Sequence, residues 1–289
     1  MPIRIVTDST ADLTLDIATA LGITVVPVYV RFGNEVYRDG VDISHDEIYR
    51  RLQTDRLHPT TSQPSPGDFA RVYRQLAREA DTIVSVHVTS KLSGTYQSAL
   101  QGKELARVRA RIEVIDSASV TLGLGLMAQA AARLAAAGAS LSHILGELQD
   151  AIENTRLLGL FDTLRYLVRG GRIGKARALV GSVLNVRPLI TMRNGELVPA
   201  GLVRTRARGL DRLVSFVRST LHIRDLAVVY STTPDEADTL RSRLGAFFRN
   251  QELIQIARLG PALGVHGGPG TLAVALRRGT APAGQPATG

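Results

Sequence analysis

Short β-branched runs alternate with helix-forming stretches through the first 155 residues, and that alternation leaves few folds open. IRIVT at 3–7 leads into LTLDIATALG, and ITVVPVYVRF at 23–32 leads into SHDEIYRRL. DTIVSVHV at 81–88 leads through a loop of small hydroxyl residues into TYQSALQGKELA, and ARIEVIDS at 110–117 precedes an Ala-rich run. Strands this apolar, each followed by a helix, are expected in a mostly parallel sheet covered on both faces. Ser44 with Glu47, and Ser65 with Pro66 and Asp68, predict capped helix starts. We read 1–155 as an α/β domain of the parallel α/β/α kind.

Beyond residue 155 the pattern changes. PLITMRNGELVPAGLV holds Asn194-Gly195 between two strand-like runs, a two-residue hairpin signal that brings in antiparallel pairing. A helix near ARGLDRLVSFVRSTL, a strand at DLAVVYS, a helix begun at Thr233-Pro234, and strands near ELIQIARL and TLAVALRR follow. Residues 156–280 therefore read as an α+β domain with a mixed sheet, and 281–289, rich in Gly, Pro and Ala, as a flexible tail.

Composition narrows the chemistry. The chain has no Cys, which excludes disulfides, thiolate nucleophiles and cysteine metal sites. Together with an opening MPIRIVTDS that lacks a basic and apolar leader, this fits the cytoplasm. The most apolar stretch, 122–138, is interrupted by Gln129 and Arg133 and falls short of the roughly 20 residues a span needs, so it reads as a buried helix rather than a membrane insertion. Charge is uneven: 15 basic and 17 acidic residues over 1–150, but 20 and 9 over 151–289. A basic half suits nucleic acid, an acidic protein or a phosphorylated ligand. Aromatic residues make up only 4%, and no stacking motif of an RNA-binding module is present, so nucleic acid is the weaker partner.

Three polar stretches sit at strand carboxyl ends, where open α/β sheets collect ligands: TDST at 7–10, TTSQPSPGD at 60–68 and TSKLSGT at 89–95. Hydroxyls and free N–H groups at helix starts favour a carboxylate or phosphate through fixed dipoles, which makes Thr61, Ser62, Ser93, Gly94 and Thr95 a candidate anion cradle. SKLSGTYQSA lacks the glycine spacing of a phosphate-wrapping nucleotide loop. RGGRIGKAR at 169–177 is a basic turn able to meet phosphate or a partner. His266, in GVHGGPG, reads as an imidazole on an open glycine-rich loop. The other five histidines show no metal spacing, and no nucleophile lies beside a base in sequence, so neither a metal site nor a catalytic triad is expected.

TDSTADL, TSQPSPGDF, SKLSGTYQSA, Asp116-Ser117, TLRYLVRGGRIGKA and the hairpin after RPLI, in that order from about residue 3 to 278, closely resemble the DegV family. The resemblance implies a fatty-acid-binding subunit of a bacterial fatty acid kinase, with one long-chain fatty acid held by a parallel α/β domain joined to an α+β domain. It implies that a separate ATP-dependent kinase subunit phosphorylates the bound carboxylate to acyl phosphate, so that this chain carries no catalytic residues and no cofactor beyond its lipid. By position, Thr61 and Ser93 look like the carboxylate hydroxyls and His266 like the third member of their network. Arg169 and Arg172 look like a rim that meets the kinase. Two other readings compete: a dihydroxyacetone-kinase-like subunit holding a small ketone on His266, which requires a compact polar pocket, and nucleic-acid binding through the basic half.

Overall fold

The computed structural model describes residues 2–179, 185–247 and 254–279; the expected tail at 281–289 lies outside the described residues. The chain begins with β1 (Ile3–Asp8), a 3-10 turn at Ser9–Ala11, α1 (Leu15–Ala20), β2 (Ile23–Val26), β3 (Tyr29–Phe32), β4 (Glu35–Arg38), α2 (His45–Thr54), β5 (Thr60–Ser62) and α3 (Pro66–Leu76). It continues through β6 (Thr82–His87), α4 (Thr95–Ala106), β7 (Arg111–Asp116), α5 (Leu122–Ala136), α6 (Leu141–Asn154), β8 (Thr155–Leu160) and α7 (Arg165–Arg169). After a 3-10 turn at Gly174–Leu179 come β9 (Arg187–Arg193), β10 (Glu196–Val203), α8 (Arg206–Arg218), β11 (Ile223–Tyr230), α9 (Pro234–Gly245), β12 (Ile254–Arg258), α10 (Pro261–Gly267) and β13 (Leu272–Arg278).

The α/β class is as the alternation predicts. β2-β1-β6-β7 form a parallel sheet in which Ile5 lies opposite Ile23 on one side and Val84 on the other. β10-β9-β8-β13-β11-β12 form a mixed sheet, antiparallel throughout except where β11 pairs with β12. The Asn194-Gly195 hairpin joins β9 to β10. A third sheet, β4-β3-β5, is antiparallel and has no counterpart in the sequence reading. It arises because the run 23–32 is not one strand: Pro27 has no N–H for a ladder, and the Val28 N–H donates instead to Ser9 Oγ at 3.0 Å. The chain therefore leaves the parallel sheet after Val26 and pairs Val30 with Thr61 of β5.

Helix starts follow their local chemistry. Ser65 and Asp68 form a reciprocal capping box at α3, with Pro66 in the first turn. At α2 only half of the expected box forms: Ser44 accepts from the Glu47 N–H, while the Glu47 carboxylate pairs with Arg50.

Helix α5 is apolar over most of its surface because it is core on two sides, with Gln129 bonded to Gln255 and Arg133 exposed. Leu124, Met127, Ala128 and Ala131 pack with Ile5, Val84 and Val86 of the parallel sheet. Leu122 and Leu126 pack with Leu157, Val229 and Ala275 of the mixed sheet. Gly125 permits the close approach, since a Cβ there would stand 2.5 Å from the Ala11 carbonyl. No helix among the described residues is long and apolar enough to cross a membrane.

Candidate functional site

A cleft of about 1000 Å³, its mouth included, opens between the parallel sheet and the mixed sheet. Its walls are apolar, with Val88, Leu92, Leu157, Phe161, Ile190 and Leu259 among them. Polar side chains gather at one part of the wall: Thr61, Ser62, Gln63, Ser93, His266 and Arg172. They reach it from several elements. Thr61 and Ser62 lie on β5, Ser93 on the loop between β6 and α4, Arg172 just after α7, and His266 on α10.

The loop carrying Ser93 is fixed at both ends. The Thr89 hydroxyl donates to the Gly195 carbonyl at 3.1 Å, so the tip of the β9–β10 hairpin clamps the loop where it leaves β6. At its other end Ser93 Oγ and Thr95 Oγ1 are 2.8 Å apart, and the Thr95 N–H donates to Ser93 Oγ. Gly94 and Thr95 stand behind Ser93 rather than on the cleft wall. Gly94 caps α4 without a side chain because Gln63 occupies that space: a Cβ there would meet the Gln63 amide at 2.8 Å.

His266 corrects the expectation of an open loop. Pro261 at the first helical position starts α10, and two carboxylates hold its opening turn, Asp12 accepting from the Gly260 N–H at 2.9 Å and Asp39 from the Ala262 N–H at 3.3 Å. The imidazole is thereby turned inward, with Nε2 2.8 Å from Thr61 Oγ1. Nδ1 is buried without a partner and lies against Gly170, where a Cβ would come within 2.1 Å of it. Burial, with Arg172 and His58 nearby, lowers the His266 pKa to about 4, so the ring is neutral near pH 7.

Arg172 lines the cleft and is itself tethered, donating to the Leu92 carbonyl at 3.3 Å and the Gly170 carbonyl at 2.7 Å. Arg169 is exposed, off the wall, and makes no hydrogen bond or ion pair among the described residues.

The sequence reading missed the acids behind this wall. Asp12, buried and bonded to the Thr121 hydroxyl and the Gly260 N–H, has its pKa pushed up to about 8 by burial. Burial likewise raises that of Asp39 to about 6. Asp8 ends a buried chain in which Tyr73 donates to Ser85, Ser85 meets His87 Nε2 at 2.7 Å, and His87 Nδ1 lies 3.0 Å from the Asp8 carboxylate. Asp8 also accepts from the N–H and hydroxyl of Thr10, a residue on the cleft wall. The available signal was TDSTAD itself, two acids four residues apart beside an apolar strand.

This arrangement offers hydroxyls, a neutral imidazole and one guanidinium at the end of an apolar cleft, a chemistry suited to the head of an amphiphilic anion. Among the described residues no group of three His, Asp or Glu side chains is placed to hold a metal ion. A long apolar wall beside His266 counts against a site built for a small ketone. Several arginines of the basic half are tied to acids, Arg206 to Glu236 and Arg277 to Asp225, which removes them from a nucleic-acid face.

The sequence pattern of the DegV family, described as a family of uncharacterised proteins, matches residues 2–278. The chain belongs to the DegV family. A DegV domain-containing protein of Deinococcus radiodurans is 38% identical over 279 residues, 96% of this chain and 98% of that one. Among solved structures, a DegV family protein from Thermus thermophilus characterised for fatty acid binding superimposes with a TM-score of 0.90 at 36% identity, over 96% of this chain and 100% of that one. A stearic acid-binding protein from Eubacterium ventriosum gives 0.86 at 29% identity, over 96% and 98%. The family resemblance read from the motifs and the α/β class are thus both shown, and the Thermus thermophilus and Eubacterium ventriosum proteins of this fold are fatty-acid-binding proteins.

Proposed function

We propose that this DegV protein buries a long-chain fatty acid in the cleft, sets its carboxylate against Thr61, Ser62, Ser93 and His266, and presents it to a separate ATP-dependent kinase subunit. The observation that carries the reading is the junction of an extended apolar wall with uncharged hydrogen-bond donors from three elements. Burying about 16 methylenes at ~0.8 kcal/mol each gives on the order of 10 kcal/mol before ordering costs, so the tail dominates affinity. The head group needs only orientation, which hydroxyls supply without locking it as an ion pair.

In the proposed reaction a carboxylate oxygen attacks the terminal phosphorus of ATP held by the kinase. The new P–O bond gives acyl phosphate as the bond to ADP breaks. This chain holds the carboxylate at the cleft mouth and excludes water from the tail; Arg172 beside the mouth suits the growing negative charge. The fatty-acid-binding likeness of the Thermus thermophilus and Eubacterium ventriosum proteins supports the lipid half of the proposal. Native mass spectrometry of recombinant protein, with organic extraction, tests it. A mass increment that extracts as a fatty acid is expected. Absence of lipid together with no saturable binding of added fatty acid overturns it.

A further inference from the structure

A second cleft, of about 2180 Å³ with its mouth included, lies on the far side of β8 from the polar end of the first. It exists because two neighbouring strands part. β8 and β9 are paired from Leu158 opposite Thr191 to Leu160 opposite Leu189, whereas Thr155, Arg156 and Leu157 of β8 pair only with β13. On the other lip, Met192 and Arg193 of β9 pair only with β10. The sheet therefore opens into a wedge, with the backbone of its β8 lip largely satisfied: Thr191 Oγ1 donates to the Leu157 carbonyl at 2.6 Å, Arg156 to the Thr155 carbonyl at 2.9 Å, and the Thr155 N–H to the Ala151 carbonyl. Thr155 Oγ1, on the wedge wall, is buried and has no hydrogen-bond partner.

The wedge has a chemical character of its own. Met127, Ile152, Leu158, Met192 and Phe216 give it an apolar floor. Around that floor stand Arg156, Arg193 and Arg212. Arg193 and Arg212 are exposed and their side chains make no hydrogen bond or ion pair among the described residues, and the Arg156 guanidinium donates only to the Glu153 and Thr155 carbonyls. Among the described residues Glu153 is the single carboxylate on the wall, and it already accepts from Gln149. Apolar floor and unpaired guanidinium rim together fit one kind of occupant. We propose that the β8–β9 wedge is a docking site for an extended acidic segment of a partner protein, its carboxylates on Arg193 and Arg212 and its apolar side chains on the floor.

The site is joined to the fatty acid cleft. Arg193 and Asn194 lead directly into Gly195, whose carbonyl holds Thr89 at the base of the loop carrying Ser93. A Cβ at Gly195 would stand 2.3 Å from Thr89 Oγ1, so hairpin and loop are in direct contact. The docking proposal itself does not depend on the lipid reading.

The test uses the full chain and fluorescein-labelled peptides about 12 residues long, alternating Glu with Leu, Ile or Phe, with Lys-for-Glu versions as controls. At about 3.3 Å per residue an extended peptide of that length reaches about 40 Å. The expected results are saturable anisotropy for the acidic peptides alone, and deuterium-exchange protection of 155–158 and 191–194. Affinity should fall about tenfold or more in R193E/R212E, with melting temperature and fatty acid occupancy unchanged. Four outcomes overturn the proposal: no acidic peptide binding up to about 1 mM, equal binding of the Lys peptides, indifference to the charge reversal, or protection centred on Arg169 and Arg172. Protection of the wedge by anionic phospholipid vesicles in place of peptide also overturns it, since it would assign the arginines to a lipid surface.

Discussion

At the scale of single residues the cleft separates groups that hold an anion from groups that hold those groups. Ser93→Ala or Thr61→Val removes one hydroxyl from a carboxylate, an interaction worth roughly 1.5–3 kcal/mol. Because the tail carries most of the affinity, each variant is expected to retain co-purifying lipid while acyl phosphate formation by the cognate kinase falls by about tenfold or more. Wild-type turnover in both variants refutes the assignment. Asp12 supplies a pH signature. Its folded pKa of about 8 lies above the ordinary carboxylate value of 3.8, so between these values the folded state keeps a proton that the unfolded chain has lost. That contribution is complete below the unfolded value and is lost as pH rises through about 8. His266, lowered to about 4 from 6.5, acts oppositely between those two values, and Asp39 is spent by about 6. The window from pH 6.5 to 8 therefore isolates Asp12. There the Asp12→Asn variant should lose less stability with rising pH than the wild type, by at most one proton's slope, about 1.4 kcal/mol per pH unit. Parallel denaturation curves across that window reject the buried, protonated carboxylate.

The elements show what could be read in advance. Apolar runs announced β1, β6 and β7, and Asn194-Gly195 announced the hairpin, because each signal is local and lies in a few neighbouring residues. β4 escaped notice since its residues, Glu35–Arg38, are mostly exposed and carry no alternation of faces. Thr61, Ser93 and His266 could be nominated singly, but their meeting rests on three sheets whose relative placement no short stretch encodes. His266 was misread for a related reason: the two acids that fold its glycine-rich stretch into α10 lie more than 200 residues away in sequence. Packing between α7 and α10 yields a further prediction. Gly170→Ala, whose new methyl would overlap His266 Nδ1, should displace the imidazole from Thr61. Fatty acid affinity, measured by titration into delipidated protein, is expected to drop about tenfold, and melting to shift by only a few degrees. Unchanged affinity dismisses a role for His266 in holding the head group.

Across the whole molecule the two arginines once grouped as a single rim part company. Arg172 staples the turn after α7 to the loop at Leu92, whereas Arg169 stands free in solvent. Arg169→Ala should leave melting temperature and lipid occupancy as they are and reduce kinase-dependent turnover, while Arg172→Ala should lower all three. Equal turnover in wild type and Arg169→Ala removes Arg169 from the partner surface. A last consequence belongs to α5, the helix packed on both large sheets. Cutting the chain after residue 155 would strip Leu122 and Leu126 of their neighbours on the mixed sheet, leaving the N-terminal piece with a wet apolar stripe and the C-terminal piece with an uncovered one. Neither half is expected to be obtained alone as a monodisperse product. Co-expressed, they should reassemble around that shared helix, and the intact chain should melt in a single calorimetric transition whose van't Hoff and calorimetric enthalpies agree.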